Sequence, residues 1–135
     1  MNSYEDYTNG YLARKDKSYY LGELSIDRID ISPIEATFFE REDETYLWMK
    51  RRPILEYDGQ SYKQRLRRPH WECYLKKKKD ARDTFEGAFI FMRFKYTIIA
   101  QWDVTYDDKF KRMNIYVERL PMEEQTIINN IRQRQ

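Results

Sequence analysis

The segment from Ala88 to Val104 alternates more strictly than any other part of the chain. Ala88, Ile90, Met92, Phe94, Tyr96, Ile98, Ala100, Trp102 and Val104 occupy every second position. The other set begins with Phe89 and Phe91 and continues through Arg93, Lys95, Thr97, Ile99, Gln101 and Asp103. Side chains of a strand point alternately to two faces, so period two marks a strand and excludes a helix here. At ~3.3 Å per residue, an unbroken strand of this length would extend on the order of 55 Å, well past the usual strand. The run has to bend, bulge, be interrupted, or project beyond the body as half of a long ribbon. Tyr106-Asp107-Asp108-Lys109 then supplies a turn, and Phe110–Glu118 returns with Met113, Ile115 and Val117 on one face. The spacing predicts an antiparallel hairpin of 88–104 with 110–118.

Other strands precede it. Ile34, Ala36 and Phe38 alternate with Glu35, Thr37 and Phe39; a charged connector, Arg41-Glu42-Asp43-Glu44, leads to Thr45–Lys50. This reads as a hairpin with a four-residue loop. Asp58-Gly59 between Ile54–Tyr57 and Gln60–Leu66 is a strong short-range hairpin signal, because both residue types tolerate the positive φ of a type I′ turn. Residues 69–83 read as a short strand or irregular stretch followed by a charged connector. Pro121 at a first helical turn, early Glu123 and Glu124, late Arg132 and Arg134, and the stripe Ile127, Ile128, Ile131 predict a helix over 121–133. Residues 1–32 show no clean period. Tyr4, Tyr7 and Tyr11 have helical spacing but Asn9-Gly10 interrupts it, and Tyr19 and Tyr20 follow. These five tyrosines read as anchors of an extended N-terminal arm. The expected fold is mainly β with one helix (α+β): an antiparallel sheet or small barrel of about five to seven strands, arm 1–32, and a single domain 33–135.

A 135-residue chain suits one domain. Its 36% charged residues would favour disorder, but 12 Tyr, 7 Phe and 3 Trp supply large core anchors. Cys73 is the lone cysteine, so no intramolecular disulfide forms. Residues 1–20 are polar and lack the apolar stretch of a signal peptide, and no run of 18 apolar residues predicts a membrane-spanning helix.

The net charge of +2 hides an asymmetry: −6 over residues 1–49, +8 over 50–79 and 0 over 80–135. The basic block comprises Lys50, Arg51, Arg52, Lys63, Arg65, Arg67, Arg68, Lys76, Lys77, Lys78 and Lys79, interleaved with Tyr57, Tyr62, Trp71 and Tyr74. Cations neutralise phosphates and aromatic rings stack on unpaired bases, so 50–79 is a candidate nucleic-acid surface. Arg with Tyr is equally the composition of a protein interface. On strand 60–68, Lys63, Arg65 and Arg67 fall on one face, opposite Tyr62, Gln64, Leu66 and Arg68.

Catalytic signals are sparse. His70 and Cys73 are half of a zinc set, but the chain has no other His or Cys. Placed i, i+3 on a strand, they point to opposite faces and cannot act as a nucleophile–base pair. Asp58, Glu72, Asp80, Asp83 and Glu86 near the lysines are the residues a metal-dependent nuclease would need to bring together. The glycines Gly10, Gly22, Gly59 and Gly87 form no phosphate-binding loop. The expected function is therefore a non-enzymatic structural subunit working through protein–protein contacts in a homo- or hetero-oligomer, as in a small virion protein (phage capsid, neck or connector). A nucleic-acid-binding module using 50–79 is the alternative, and a metal-dependent nuclease a distant third. No cofactor, membrane or small-molecule substrate is expected, and the expected location is the virion or else the cytoplasm.

Overall fold

The computed structural model describes residues 8–105 and 110–121. The expected helix 121–133 (from residue 122), the turn 106–109, Tyr4 and Tyr7 lie outside these residues. Eleven strands follow one another: β1 (Gly10–Asp16), β2 (Tyr19–Ile26), β3 (Ile29–Asp30), β4 (Ile34–Arg41), β5 (Glu44–Arg51), β6 (Ile54–Tyr57), β7 (Tyr62–Arg65), β8 (Glu72–Lys77), β9 (Thr84–Phe91), β10 (Phe94–Trp102) and β11 (Arg112–Arg119). The described residues contain no helix, so this part of the chain is all-β, with more strands than the five to seven expected. Eight strands pair antiparallel in the order β1-β11-β10-β9-β8-β5-β4-β2, and β1 pairs back onto β2. The sheet is a closed barrel. β3 adds to one end of β2, and β6 and β7 form a separate two-stranded hairpin.

The long alternating run is two strands. Phe91 pairs with Phe94 across the two-residue turn Met92-Arg93, where both residues have positive φ (52° and 77°). A two-residue turn puts residues three apart on one face. The inward set therefore switches from Phe85, Phe89 and Phe91 on β9 to Tyr96, Ile98, Ala100 and Trp102 on β10. Ile90 and Met92, in step with the inward residues of β10, are exposed. The ribbon expected to project is folded back into the wall. The pairing with 110–118 holds for its second half: β10 meets β11, and Met113 and Ile115 are fully buried. The hairpin 34–39/45–50 also forms, with Glu40 opposite Thr45; its turn tightens to Glu42-Asp43, again with positive φ.

The N-terminal arm is corrected for residues 10–31. They form β1 to β3 and belong to the barrel sheet rather than to a separate arm. Leu12, Leu24, Ile26 and Ile31 are buried. Tyr20 is buried too, and its hydroxyl donates to the Phe110 carbonyl at 2.6 Å. Tyr11 lies half-buried under the Arg112 guanidinium, 4.3 Å above its ring. The hydroxyl of Tyr19 donates to Glu35. Glycine permits the closing seam: a Cβ on Gly22 would collide with the Tyr11 carbonyl, and one on Gly10 with that of Glu23.

Alternating strand direction defines two ends. One gathers the Asp27-Arg28 and Met92-Arg93 turns, the root of the β6–β7 hairpin and Arg119. At the other, Tyr20, Phe38, Phe85 and Trp102 pack with ring centroids 5.3–5.8 Å apart, and Phe110 covers Trp102. Leu12, Leu47, Leu75, Ile98 and Ile115 fill the middle; each such burial stabilises by roughly 1.5–3 kcal/mol.

Neither Met nor Arg suits a left-handed turn, and an L-residue there costs roughly 1–2 kcal/mol. The double substitution Met92→Asn, Arg93→Gly should therefore raise unfolding stability by on the order of 1 kcal/mol in urea titration. A clear loss of stability would mean that the chain does not turn at these residues.

Candidate functional site

The basic block does not converge. Arg51 and Trp71 are buried, at 8% and 2% exposure, so neither faces a partner. Lys50 lies on the outer wall, paired with Glu35 at 3.5 Å. Lys63 pairs with Asp58, Arg65 with Glu56, Lys76 and Lys79 with Glu44, and Lys78 with Glu86. Arg52, Arg67, Arg68 and Lys77 form no ion pair with a described residue. β8 separates the lysine run from the hairpin root, and six residues place them about 20 Å apart. The excess charge is divided between the barrel ends and the hairpin and offset in part by Glu35, Glu44 and Glu86 from outside the block.

The hairpin stands apart. All eight residues of β6 and β7 are exposed. Pairing of Tyr57 with Tyr62, Glu56 with Lys63, Leu55 with Gln64 and Ile54 with Arg65 sorts them into two faces. Lys63 and Arg65 share one face with Glu56, and their ion pairs satisfy it. The other face carries Leu55, Tyr57, Tyr62 and, beyond the strand, Leu66, at 59–70% exposure, with Gln64 among them and no formal charge. The loop is Asp58–Ser61 rather than a two-residue turn. Asp58 Oδ1 accepts from the amides of Gln60 and Ser61, and Gly59 takes φ +96°. Arg51 fixes the root: its guanidinium donates to the Pro69 carbonyl at 3.1 Å and the Asp30 carbonyl at 3.4 Å. Burial, then the neighbouring Arg67 charge, lower its pKa.

A second feature lies on the outer wall of β4, β5 and β8. Leu47, Met49, Cys73 and Leu75 point inward, so Phe39, Tyr46, Trp48 and Tyr74 point outward. Phe39 stacks on Tyr46 (5.2 Å, 13°), and Trp48 on Tyr74 (5.9 Å, 5°). Phe39 also meets Tyr74 edge-on at 6.0 Å. With Arg41 and Glu42 these rings line a recess of about 590 Å³. Trp48 Nε1 donates to Glu72, and the Lys50 ammonium sits 4.7 Å above the Trp48 ring. Tyr74 belongs to the basic-aromatic segment read from the sequence; Phe39, Tyr46 and Trp48 do not. The signal was present, since the register implied by a loop at 41–44 already sets Phe39 opposite Tyr46.

The candidate chemistry is dispersed. Burial pushes the Cys73 thiol up to about 12, so it is a neutral thiol near pH 7. His70 contacts Glu72 at 3.3 Å. Asp58 sits at the hairpin tip, Glu72 at the start of β8 and Glu86 within β9. Among the described residues no three His, Cys, Asp or Glu side chains converge as a metal site. None of the described helices is long and apolar enough to cross a membrane, there being no helix among them.

One polar cluster has perturbed groups. Asp27, in its turn, accepts from the Tyr96 hydroxyl and from Nε and Nη2 of Arg119, whose guanidinium lies 3.9 Å above the Phe94 ring. The Tyr96 hydrogen bond, followed by Arg119, lowers the Asp27 pKa. Burial, then Asp27, raises that of Tyr96. The cluster ties β2, β10 and β11 together at the hairpin end. Comparison with protein-family models, curated proteins and solved structures finds no match to the chain.

A carboxyl held below its ordinary pKa contributes stability that is complete above the unfolded value, about 3.9, and lost as pH falls through the folded one. Asp27→Asn keeps the shape and the tolerance for positive φ. The variant should melt below the wild type at pH 7, and the gap should begin to shrink as pH falls to about 4 and close once it is below the folded pKa. A constant gap in thermal scans would assign the loss to packing instead.

Proposed function

We propose that the chain is a non-enzymatic assembly subunit that acts through protein–protein contacts, with the β6–β7 hairpin as its contact arm. One observation carries this reading: Leu55, Tyr57, Tyr62 and Leu66 form an uncharged apolar face that the barrel does not cover. An isolated two-stranded hairpin is marginal in water. A contiguous exposed apolar face marks an interaction site. Neither outer edge of the hairpin pairs with another strand among the described residues, and a neighbour can pair with such an edge. Tyr and Leu on a stable root suit an interface better than a nucleic-acid groove, because Lys63 and Arg65 already pair with Asp58 and Glu56.

A virion, as a phage capsid, neck or connector component, is the setting we propose for such a subunit. The supports for it change. The long run folds back and residues 10–31 join the barrel, so the role first given to them passes to the hairpin. A small barrel that carries one arm suits a structure built from repeated copies. Nucleic-acid contact is the second reading. It draws on Arg52, Arg67 and Arg68 near the hairpin root, which make no ion pair with a described residue.

Native mass spectrometry of the chain from its source material should give a species larger than the 16.8 kDa of one chain. The variant Leu55→Ser, Tyr62→Ser should weaken that assembly at least about 30-fold, as for loss of an interface anchor, with little change in melting. A wild-type species at 16.8 kDa would sink the reading.

A further inference from the structure

Two apolar surfaces have no occupant among the described residues: the hairpin face and the aromatic platform Phe39, Tyr46, Trp48 and Tyr74. We infer that each is the seat of the other between two copies, in a two-fold dimer where each hairpin lies on its partner's β4–β5–β8 wall. This inference rests on the assembly reading above and names its partner: a second copy of this chain.

The position of the hairpin supports it. It is inserted between β5 and β8, two of the strands that carry the platform. In the proposed dimer it reaches past the barrel end that holds its root at Arg51 and Glu72. Invert a second copy about a two-fold axis at that level. Its outer wall then lies alongside the first copy's hairpin, and the reverse contact forms at the same time. The lengths agree. A four-residue strand reaches about 13 Å. On β5, Trp48 lies three residues from Arg51 and Tyr46 five, or about 10 and 17 Å from the hairpin root.

The charges agree as well. The hairpin face has no formal charge. On the platform, Lys50 pairs with Glu35, Lys76 and Lys79 with Glu44, and Glu72 accepts from Trp48. Closing such surfaces on each other leaves the Lys50, Lys76 and Lys79 charges paired; Arg41 and Glu42, of opposite sign, lie at the recess. The three carboxylates Glu35, Glu44 and Glu72, with Glu42 at the recess, work against a polyanion on this wall. A two-fold contact is isologous, so every hairpin–platform contact is made twice. That doubling lets two short elements approach the ~800 Å² per partner of a specific interface.

Two single-site families of variants test it. A hairpin variant (Leu55→Ser, Tyr62→Ser) and a platform variant (Trp48→Ser, Tyr74→Ser) should each dimerise at least about 30-fold more weakly than wild type in analytical ultracentrifugation. Mixed, they should form a heterodimer tighter than either homodimer, because one of its two contacts joins an intact hairpin to an intact platform. A platform variant that dimerises like wild type, beside a monomeric hairpin variant, overturns the inference and leaves the assembly reading standing. Equal weakening with no recovery on mixing also overturns it. A wild-type chain that is monomeric in its source removes both. Because the platform variant can fail to fold, a photo-reactive benzoylphenylalanine at the exposed Tyr62 position gives a second measurement. It should cross-link to the 39–48 peptide of a differently isotope-labelled copy. Cross-links confined to other segments contradict the proposal.

Discussion

Closure of the sheet is the constraint from which the remaining features follow. β1 pairs with β11 on one side and β2 on the other, so none of the eight barrel strands is an edge along the wall. The seam depends on two residues without a Cβ, Gly10 and Gly22, at positions where the β1 and β2 backbones approach. A closed wall satisfies its own donors and acceptors and has no strand edge to offer. Association has to use what closure leaves over: the short β3, the β6–β7 hairpin and the outward side chains.

The hairpin is both outside the barrel and held by it. Arg51, the last residue of β5, turns inward and hydrogen-bonds the carbonyls of Pro69 and Asp30. The Arg51 amide donates to the Trp71 carbonyl and that of Arg52 to Pro33. Beyond this buried root the strands contact chiefly each other. The base of the arm is therefore set by the core, while its apolar face lacks cover from the described residues. The same root explains why Arg51 and Trp71, which look like contact residues in the sequence, serve the interior.

Most strand content was legible, and the failures have physical causes that differ from place to place. Turns at Asp58-Gly59 and across 41–44 carry acidic or glycine residues that announce a reversal. Met92-Arg93 carries neither, so its positive φ values are imposed by the pairing of β9 with β10 rather than by local preference. The chance continuation of apolar residues on even positions hid the change of face. In residues 10–31 the inward set Tyr20, Gly22, Leu24, Ile26 does alternate, but a glycine interrupts it and polar neighbours dilute it. The outward platform was hidden differently: a sequence shows that residues are aromatic, while their alignment across three strands is set by the register of β4, β5 and β8. The pairing of the basic block was not legible either, because three of its partners, Glu35, Glu44 and Glu86, lie outside it in sequence.

The central claim is that the hairpin receives its missing cover from a neighbouring subunit. Hydrogen exchange of the residue 54–65 amides, followed by mass spectrometry in the assembled state and again after dilution to single chains, tests this directly. The account predicts strong protection in the assembly and exchange at least about tenfold faster on dilution, with the barrel amides of β10 unchanged, since a two-stranded hairpin alone is marginal. Equal protection of 54–65 in both states would show that the barrel itself stabilises the hairpin, and would contradict the account.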